Sequence, residues 1–387
     1  MYAKLLPVTL DVTRLAARLL EGKHPTGVDR VSLAYVEHYR PRALALVRHW
    51  GRWMELGRPA SQRLFAALLG EAAAPRRDIR ASVAGAYALN WRWQPGGWFF
   101  NTGHSGLDHP NYARAVLRRG LRPVYFLHDL IPLTHPEYCR VGEANRHHQR
   151  LGTMLRTGRA LIVNSQHTLD AVTRYAAAQG LPMPPHRVAP LAAAPLPAGN
   201  ARAPIDRPYF VMIGTIEPRK NHLLLLHAWR RLTEAGGTTL PALVILGQRG
   251  WECEQVIDLL ERCPPLKGCV IEVPRATDAE LATWLRHARA LLFPSFAEGF
   301  GMPLIESLTL GVPVIASDLP SFHEMAGDVP DYLDPLDGPA WLRAVLDYAR
   351  PDSTARAAQL ERLQEWRVHT WAAHFAGVDQ FLAALPP

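Results

Sequence analysis

Short, mostly apolar runs alternate along the chain with longer stretches in which apolar residues recur every three or four positions. The runs are Pro123–Leu127, Ala160–Asn164, Tyr209–Ile213, Ala242–Leu246, Val270–Val273, Ala290–Phe293 and Val314–Ala316. Apolar runs of this length are typical of strands buried on both faces of a parallel sheet, and the periodic stretches between them are typical of helices. The sequence therefore predicts an α/β protein built on parallel sheets.

This alternation is interrupted by a stretch rich in proline and small residues over residues 192–208, which is typical of a linker. A chain of 387 residues is expected to hold two domains with substantial cores. We therefore predict an N-terminal domain over residues 1–195, a linker over 196–208 and a second domain over 209–365. Residues 366–387 are predicted to form a C-terminal helix.

Composition indicates the cellular compartment in which the protein is expected to act. No run of about 18 apolar residues occurs, and the N-terminus lacks a basic and apolar signal pattern, so we expect a cytoplasmic protein. The four cysteines show no Cys-x-x-Cys spacing and are expected to be reduced structural residues.

The formal charge of +8 is compatible with nucleic acid, an anionic membrane or an anionic substrate as the partner. Between Arg40 and Leu69, arginines alternate with Trp50, Trp53, Leu56 and Phe65. This segment resembles no nucleic-acid-binding module, so no nucleic-acid partner is predicted. Two interpretations stay open: a helix lying on a membrane surface, and a solvated face whose aromatic residues belong to the core. The arginines are Arg40, Arg42, Arg48, Arg52, Arg58 and Arg63.

Two carboxylates flank a glycine-containing turn in the segment Glu298-Gly299-Phe300-Gly301-Met302-Pro303-Leu304-Ile305-Glu306. The turn follows a predicted strand and precedes a helix predicted from Pro303. Glycines at such a turn let an anion approach the amides of the helix N-terminus, which predicts a phosphate cradle. Glu306, predicted in the first helical turn, is expected to accept hydrogen bonds from ribose hydroxyls. Glu298 is expected to face the remaining polar group.

A second phosphate signal lies in Gly214-Thr215-Ile216-Glu217-Pro218-Arg219-Lys220-Asn221, between the strand Tyr209–Ile213 and an apolar helix. Two cations, Arg219 and Lys220, open that helix. Cations at the positive end of a helix dipole are unfavourable unless an anion lies there, so the pair predicts a diphosphate ligand.

Together these segments, with the strand 311–317 that follows, resemble the retaining glycosyltransferases of family 4, group 1, which have the GT-B fold. The resemblance implies two facing Rossmann-like domains with parallel sheets and a C-terminal helix that crosses back to the N-terminal domain. It also implies that Arg219 and Lys220 stabilise the departing diphosphate of a nucleotide sugar, that Glu306 holds the ribose, and that Glu298 orients the donor sugar. Gly214 and the cradle residues Gly299, Phe300, Gly301, Met302 and Pro303 are then donor-binding residues.

In the first half of the chain, His128 and Asp129 directly follow the strand Pro123–Leu127, at the end of a parallel strand where sites form. The resemblance implies that His128 contacts the donor sugar, and a structural histidine bonded to backbone is the alternative. Asp129 either binds the acceptor or caps the next turn.

The segment from Lys23 to Val31 resembles the first glycine loop of the family but offers one glycine, Gly27, where two are usual. Gly27 is therefore a predicted donor-binding position. Asp29 and Arg30 either bind acceptor hydroxyls or begin a helix.

Another departure lies at Pro274-Arg275, where relatives have a glycine and an apolar residue near the nucleotide base. Arg275 is taken as a donor contact, and the identity of the base is open. No Asp-x-Asp triplet of the metal-binding kind occurs in a suitable loop, so neither a metal nor a cofactor is predicted.

The resemblance implies transfer of a hexosyl group, mannose from GDP-mannose in the first instance, to a hydroxyl of a glycan or lipid-linked saccharide. The implied setting is bacterial surface polysaccharide or lipopolysaccharide synthesis, at the inner face of the plasma membrane. Rhamnose, glucose or galactose donors fit the same motifs. A sugar-nucleotide epimerase and a catalytically silent glycan-binding scaffold are alternatives with the same fold.

Overall fold

The computed structural model describes residues 6–49, 51–71, 76–89, 96–236 and 240–386. The chain folds into two compact units that do not follow sequence order. The first unit comprises Met1–Leu133, Gly142–Leu191 and Trp371–Pro387, and the second comprises Thr134–Val141 and Ala192–Thr370. Within the described residues, no helix has the length and apolar character needed to cross a membrane.

A seven-stranded sheet forms the centre of the described part of the first unit, in the order β3-β2-β1-β4-β5-β6-β7. All neighbouring strands are parallel except β2 and β3, which form an antiparallel pair. The strand order of this sheet therefore reverses between β1 and β4. The strands are β1 (Val8–Asp11), β2 (Ala43–His49), β3 (Arg52–Glu55), β4 (Trp98–Asn101), β5 (Arg122–Leu127), β6 (Ala160–Val163) and β7 (His186–Val188).

The strands β4, β5 and β6 are apolar and almost entirely buried, because helices cover both faces of a parallel sheet. The helices of this half of the chain are α1 (Thr13–Glu21), α2 (Gly27–Tyr39), α3 (Arg58–Leu68), α4 (Arg76–Leu89), α5 (Tyr112–Leu117), α6 (Ile131–Thr134), α7 (Glu143–Thr157) and α8 (Gln166–Ala178).

The second unit has a six-stranded sheet in its described residues, with the order β10-β9-β8-β11-β12-β13 and parallel neighbours throughout. The strand order reverses between β8 and β11: the strands that follow β8 lie on one side of it, and β11 begins the other side. The strands are β8 (Tyr209–Ile213), β9 (Ala242–Leu246), β10 (Val270–Val273), β11 (Leu291–Phe293), β12 (Val314–Ser317) and β13 (Asp331–Leu333). The helices are α9 (His222–Ala235), α10 (Glu254–Arg262), α11 (Asp278–Arg286), α12 (Met302–Thr309), α13 (Pro320–Ala326), α14 (Gly338–Ala349) and α15 (Thr354–Glu365).

The last helix, α16 (Trp371–Ala383), belongs to the first unit. Its buried His374 bonds to the Tyr35 hydroxyl (3.0 Å) on α2, and Asp379 accepts from the Tyr39 hydroxyl (2.9 Å) and from Arg42 (3.1 Å). The helical pattern at the C-terminus is therefore split, because α15 packs in the second unit while α16 packs against α2.

The unit boundaries differ from the predicted ones in three places. The second unit ends at Thr370 instead of residue 365, and it begins at Ala192, so the predicted linker over 196–208 is part of it. It also includes Thr134–Val141. In that segment Tyr138 stacks on Phe296 (ring centroids 5.5 Å apart), and its carbonyl accepts from the Trp251 indole (3.2 Å). Long-range aromatic packing, which periodicity does not report, assigns the segment to this unit.

The basic and aromatic segment between Arg40 and Leu69 does not form a membrane-surface helix. It forms β2, β3 and α3, and Trp53, Leu56 and Phe65 are buried in the core. Trp50 lies outside the described residues. The aromatic residues alternate with arginines because strand and helix each place one face inward, so the second interpretation given above is correct for this segment.

Candidate active site

The carboxyl ends of β8 and β11 are where a ligand site of the second unit is expected. In open parallel sheets, ligands bind at the carboxyl ends of the strands where the strand order reverses. The loop after β8 carries Arg219 and Lys220 in a short 3-10 helix, Pro218–Lys220, and the loop after β11 carries Glu298. The two segments that gave separate phosphate signals in the sequence therefore meet at one edge of the sheet.

Two cations and two carboxylates form a buried cluster at these strand ends. Arg219 lies 2.8 Å from Glu298 through Nη1 and 2.6 Å from Glu217 through Nε. Lys220, whose side chain is 7% exposed, pairs with the other oxygen of Glu298. The anions that compensate the cations here are thus the protein's own carboxylates, and the formal charges of the four side chains cancel.

The protonation states follow from this packing. Burial raises the pKa of Glu298, but the charges and hydrogen bonds of Arg219 and Lys220 outweigh it and lower the pKa to about 2. Burial lowers the pKa of Lys220, and the Glu298 carboxylate acts against that shift. Burial also raises the pKa of Glu217, against the charges of Arg219 and Lys220. Glu298 is therefore ionised at neutral pH.

Further hydrogen bonds fix the loop that carries Glu298. The Ser295 hydroxyl donates to the Glu298 carboxylate (2.9 Å), and the Ser321 hydroxyl donates to its main-chain carbonyl (3.0 Å). The loop after β11 is joined to the loop after β8 because the Phe296 amide donates to the Arg219 carbonyl (2.8 Å) and the Arg219 guanidinium donates to the Ala297 carbonyl (3.0 Å). The cluster is thus preorganised before any ligand binds.

The predicted phosphate cradle forms the start of α12. Gly301 is the N-cap with φ 94°, and Met302 and Pro303 are the first two helical residues. Phe300 is buried, and Gly299 lies in the turn. Glu306 is the fifth residue of α12, not in its first turn as predicted, and it is 4% exposed. The helix starts at Met302 because the left-handed backbone of Gly301 ends the turn there.

Gly214 directly follows β8 and lies against Lys220 of the cluster. Its φ is 144°, and a Cβ placed there would lie 3.1 Å from Cε of Lys220. The neighbouring loop is equally tight, because a Cβ on Gly247 would lie 1.9 Å from the Gly214 carbonyl oxygen. A glycine at 214 therefore leaves room for the Lys220 side chain.

Arg275 lies apart from the cluster. It is exposed in the turn between β10 and α11, and β10 is the edge strand of the sheet, two strands away from β8. The structure thus places Arg275 on the same edge of the sheet as the cluster but not in contact with it.

In the first unit, His128 follows β5 and is 8% exposed. Its Nε2 donates to the Thr102 carbonyl (2.7 Å), and burial lowers its pKa. The carboxylate of Asp129 accepts from the Ile131 amide (3.0 Å), as a capping aspartate does. His128 therefore combines a bond to backbone with a position at the site edge of the sheet.

Asp29 is fully buried at the start of α2. Its carboxylate pairs with Arg14 (2.7 Å) and Arg18 (2.8 Å) and accepts from the Thr26 amide (2.7 Å). It is therefore the acidic member of a capping box, one of the two alternatives left open by the sequence. Gly27 is the exposed first residue of α2, and Arg30 is half-buried on the same helix.

Sequence reasoning assigned no role to Glu217, which is 4% exposed and bonds to Arg219. The sequence did contain a signal for this residue, because a carboxylate lies two residues before a pair of cations that require an anion. Ser295 and Ser321 carried no comparable signal, because their role depends on the approach of separate loops. Among the described residues, no three His, Cys, Asp or Glu side chains are placed to hold a metal ion.

Comparison with known proteins agrees with this geometry. Residues 200–329, which include the whole cluster, match the family described as glycosyl transferases group 1. The family resemblance seen in the sequence is thereby confirmed. The matched residues lie within the second unit.

Curated relatives align over parts of the chain. Over 163 residues, 42% of this chain, it is 34% identical to O-antigen chain mannosyltransferase B of Escherichia coli. Over 222 residues, 52% of this chain, it is 31% identical to the serotype-specific mannosyltransferase WbdA of the same species. The aligned parts cover 42% and 26% of those proteins, so the match spans less than half the length of either relative.

Solved structures match over nearly the whole chain. Anabaena Alr3699/HepE in complex with UDP-glucose aligns with a TM-score of 0.65 and 15% identity, over 98% of this chain and 100% of that one. Sucrose-phosphate synthase from Thermosynechococcus elongatus aligns with a TM-score of 0.62 and 17% identity, over 98% and 99% of the two chains. At such identities the likeness concerns the fold alone. The predicted α/β fold with two Rossmann-like parallel sheets is confirmed, and these neighbours have the GT-B fold.

Gly301→Ala is expected to destabilise the second unit more than Gly311→Ala. Both glycines have left-handed φ, 94° and 76°, so alanine costs about 1 kcal/mol at either position. A Cβ at 301 would in addition lie 2.7 Å from Phe322, which is buried and stacked on Phe293, whereas nothing lies within 4 Å at 311. We expect a further 1 to 3 kcal/mol, about the usual cost of overpacking, measurable by urea unfolding. Equal losses would show that Phe322 moves aside.

Proposed function

We propose that the protein is a retaining glycosyltransferase that moves a hexosyl group from a nucleoside-diphosphate sugar to a hydroxyl of a glycan or lipid-linked saccharide. The observation that carries this proposal is the buried cluster of Arg219, Lys220 and Glu298 at the strand-order reversal of the second unit, within the residues that match the glycosyl transferases group 1 family. Mannose from GDP-mannose is the first donor to test, and bacterial surface polysaccharide is the proposed product. The names of the O-antigen mannosyltransferase relatives support both choices.

In the proposed reaction the bond from the anomeric carbon to the phosphate oxygen breaks, and a bond to the acceptor oxygen forms on the same face of the sugar. The acceptor's proton passes to an oxygen of the departing phosphate. Arg219 and Lys220 donate hydrogen bonds to the diphosphate as its charge develops. Because Glu217 and Glu298 cancel their charge, directed N–H groups provide the stabilisation, rather than a net positive field.

Each remaining residue has a proposed role that fits its position. Glu306, buried in α12 below the cradle, binds the ribose hydroxyls. Glu298 holds both cations in place and orients the donor sugar. His128 contacts the sugar. We propose that no divalent metal is required, because two cationic side chains lie at the proposed position of the leaving group.

The charge of the chain is unevenly divided between the units, and this supports a peripheral location at the inner face of the plasma membrane. The first unit holds 25 Lys and Arg against 12 Asp and Glu, a formal charge of +13, and the second holds 18 against 23, a formal charge of −5. A basic surface attracts anionic lipid headgroups, where a lipid-linked acceptor would be found.

A thermal-shift panel of UDP, GDP, dTDP, ADP and CMP, each with its common sugars and run with and without EDTA, tests the proposal. We expect one nucleotide family, GDP first, to stabilise the protein by about 2.7 kcal/mol at 100 times its dissociation constant, equally in EDTA. Glu306→Ala should abolish the shift, since it removes the proposed ribose contact. Glu324→Ala, which changes an exposed glutamate of α13, is the matched control.

Stabilisation that disappears in EDTA would overturn metal independence. Stabilisation by no nucleotide, together with no transfer from any donor, would leave a silent scaffold as the better account. Conversion of a free UDP-sugar without an acceptor would instead identify an epimerase.

A further inference from the structure

Three histidines lie together at the carboxyl edge of the first unit's sheet. His104 follows β4 and His128 follows the neighbouring strand β5, while His147 comes from α7. The ring centroid of His104 lies 5.2 Å from that of His128 and 6.0 Å from that of His147. Because β4 and β5 are adjacent and parallel, their carboxyl ends bring the first two rings together, and α7 adds the third.

The same nitrogen of each ring is bonded to a main-chain carbonyl. Nε2 of His104 bonds to the Phe126 carbonyl (2.8 Å), that of His128 to the Thr102 carbonyl (2.7 Å) and that of His147 to the Asp129 carbonyl (3.1 Å). A carbonyl only accepts, so each Nε2 carries the proton and each Nδ1 keeps a lone pair. Among the described residues, none bonds to the Nδ1 atoms of these rings. Each is therefore an oriented hydrogen-bond acceptor.

The surroundings keep the three rings neutral. Burial lowers the pKa of all three histidines, and the charges that His128 and His147 would carry lower that of His104 further. The charged groups that act on the three rings are Asp29, Asp129, Glu143, Arg14 and Arg150. A neutral imidazole with a fixed proton accepts a hydrogen bond from a hydroxyl without carrying the desolvation cost of a charge.

The backbone at His104 is held in an unusual conformation. Its φ is 59°, in the left-handed region that few residues other than glycine adopt. Such conformations persist where the surrounding structure enforces them, and they occur often at ligand sites. Here the left-handed turn is the feature that directs the ring back to the Phe126 carbonyl and beside His128.

We propose that His104 and His147, together with His128, form a binding site for the hydroxyl groups of a pyranose ring. The inference rests on the proposed function for the reaction that the site serves, and it adds two residues that the family resemblance does not assign. A hydroxyl group can donate to the lone pair of each Nδ1, and a pyranose ring carries several hydroxyl groups. The pyranose is either the donor's hexose or the acceptor's terminal sugar, and the kinetic arms below separate the two.

The first experiment measures binding alone and does not require sugar transfer. The full-length protein, labelled with ¹⁵N in its histidine rings, is titrated at pH 7.5 with the methyl glycosides of mannose, glucose, galactose and rhamnose. We expect at least one glycoside to shift the Nδ1 signals of His104, His128 and His147 together. The ¹⁵N chemical shift of a nitrogen with a free lone pair changes when that nitrogen accepts a hydrogen bond. The ring of His148 on the same helix bonds to the Tyr175 hydroxyl (2.7 Å) and should not shift.

The kinetic arm compares His104→Asn and His147→Gln with His148→Gln. Asparagine tolerates the left-handed backbone of residue 104, and glutamine retains a donor for the Asp129 carbonyl. We expect kcat/KM to fall about 10- to 100-fold in the first two variants, with unchanged GDP binding, and to stay within twofold of the wild type in the third. A raised KM for the nucleotide sugar assigns the site to the donor, and a raised KM for the acceptor assigns it to the acceptor. Urea unfolding of each variant separates loss of folding from loss of binding.

The outcomes distinguish the two proposals. If the wild type transfers sugar while no glycoside or donor shifts the rings and both variants retain kcat/KM, the histidine site is wrong and the proposed function stands. If no donor is turned over but a glycoside shifts the three rings, the proposed function fails and the sugar site stands. Displacement of the three Nδ1 signals by Zn²⁺ alone, with no response to any glycoside, would also overturn the site as a sugar site.

Discussion

Lys220→Met is expected to lower kcat/KM for transfer by about 10² to 10³, and to destabilise the protein by about 3 to 5 kcal/mol. Lys220 is 6% exposed and pairs with Glu298, whose carboxylate is equally inaccessible to water. Methionine fills a similar volume but leaves a buried carboxylate with one cation instead of two. The loss of activity follows separately, because the departing diphosphate loses a donor. Steady-state kinetics and urea unfolding measure the two effects.

The double variant Lys220→Met with Glu298→Gln separates stability from catalysis. Neutralising Glu298 removes the uncompensated charge, so we expect most of the stability to return while activity stays low. Lys267→Met, which changes an exposed lysine of the same unit, should alter neither quantity. If Lys220→Met kept near-normal transfer, the assignment of the diphosphate site to this cluster would be wrong, whatever its effect on folding.

Much of the fold could be predicted because buried parallel strands leave a simple trace in the sequence. Tyr209–Ile213, Ala242–Leu246 and Val270–Val273 were predicted with the bounds that the structure has. Apart from Glu272 these runs are apolar, and each is followed by glycine or proline, so hydrophobicity locates them. The antiparallel pair β2 and β3 was not predicted, because its alternating arginines and aromatic residues also fit an amphipathic helix.

The cluster in the second unit was predictable where its chemistry is concentrated in sequence. Arg219 and Lys220 are adjacent cations at a helix start, and Glu298 precedes a glycine turn, so each segment indicated an anion site by itself. Their direct ion pairing was not predicted, since two loops 78 residues apart meet only through the pairing of β8 with β11. The proposed histidine site was not predicted for the same reason, because His104, His128 and His147 come together only in the folded chain.

Acidification below pH 6.5 is expected to destabilise the protein through two buried histidines, His222 and His374. Burial is the main cause that lowers the pKa of His222 to about 3 and that of His374 to about 4, against about 6.5 in an unfolded chain. Between those values the unfolded state binds protons that the folded state does not, so stability falls as the pH falls below 6.5. Each histidine should cost about 2 kcal/mol at pH 5 relative to pH 8. Asp11, whose pKa burial raises to about 6, acts in the opposite direction over the same range.

The variant His222→Leu measures how much of the stability lost at low pH is due to His222. Within the described residues, neither ring nitrogen of His222 has a hydrogen-bond partner, and the residue is 1% exposed, so leucine removes no bond. We expect the variant to match or exceed the wild type at pH 8 and to lose about 2 kcal/mol less on going to pH 5, as measured by urea unfolding across the range. His167→Leu, at an exposed position on α8, should leave the pH dependence unchanged. An unchanged pH dependence in His222→Leu would mean that the pKa of His222 is the same in the folded and unfolded chains, and it would overturn this explanation of the acid loss.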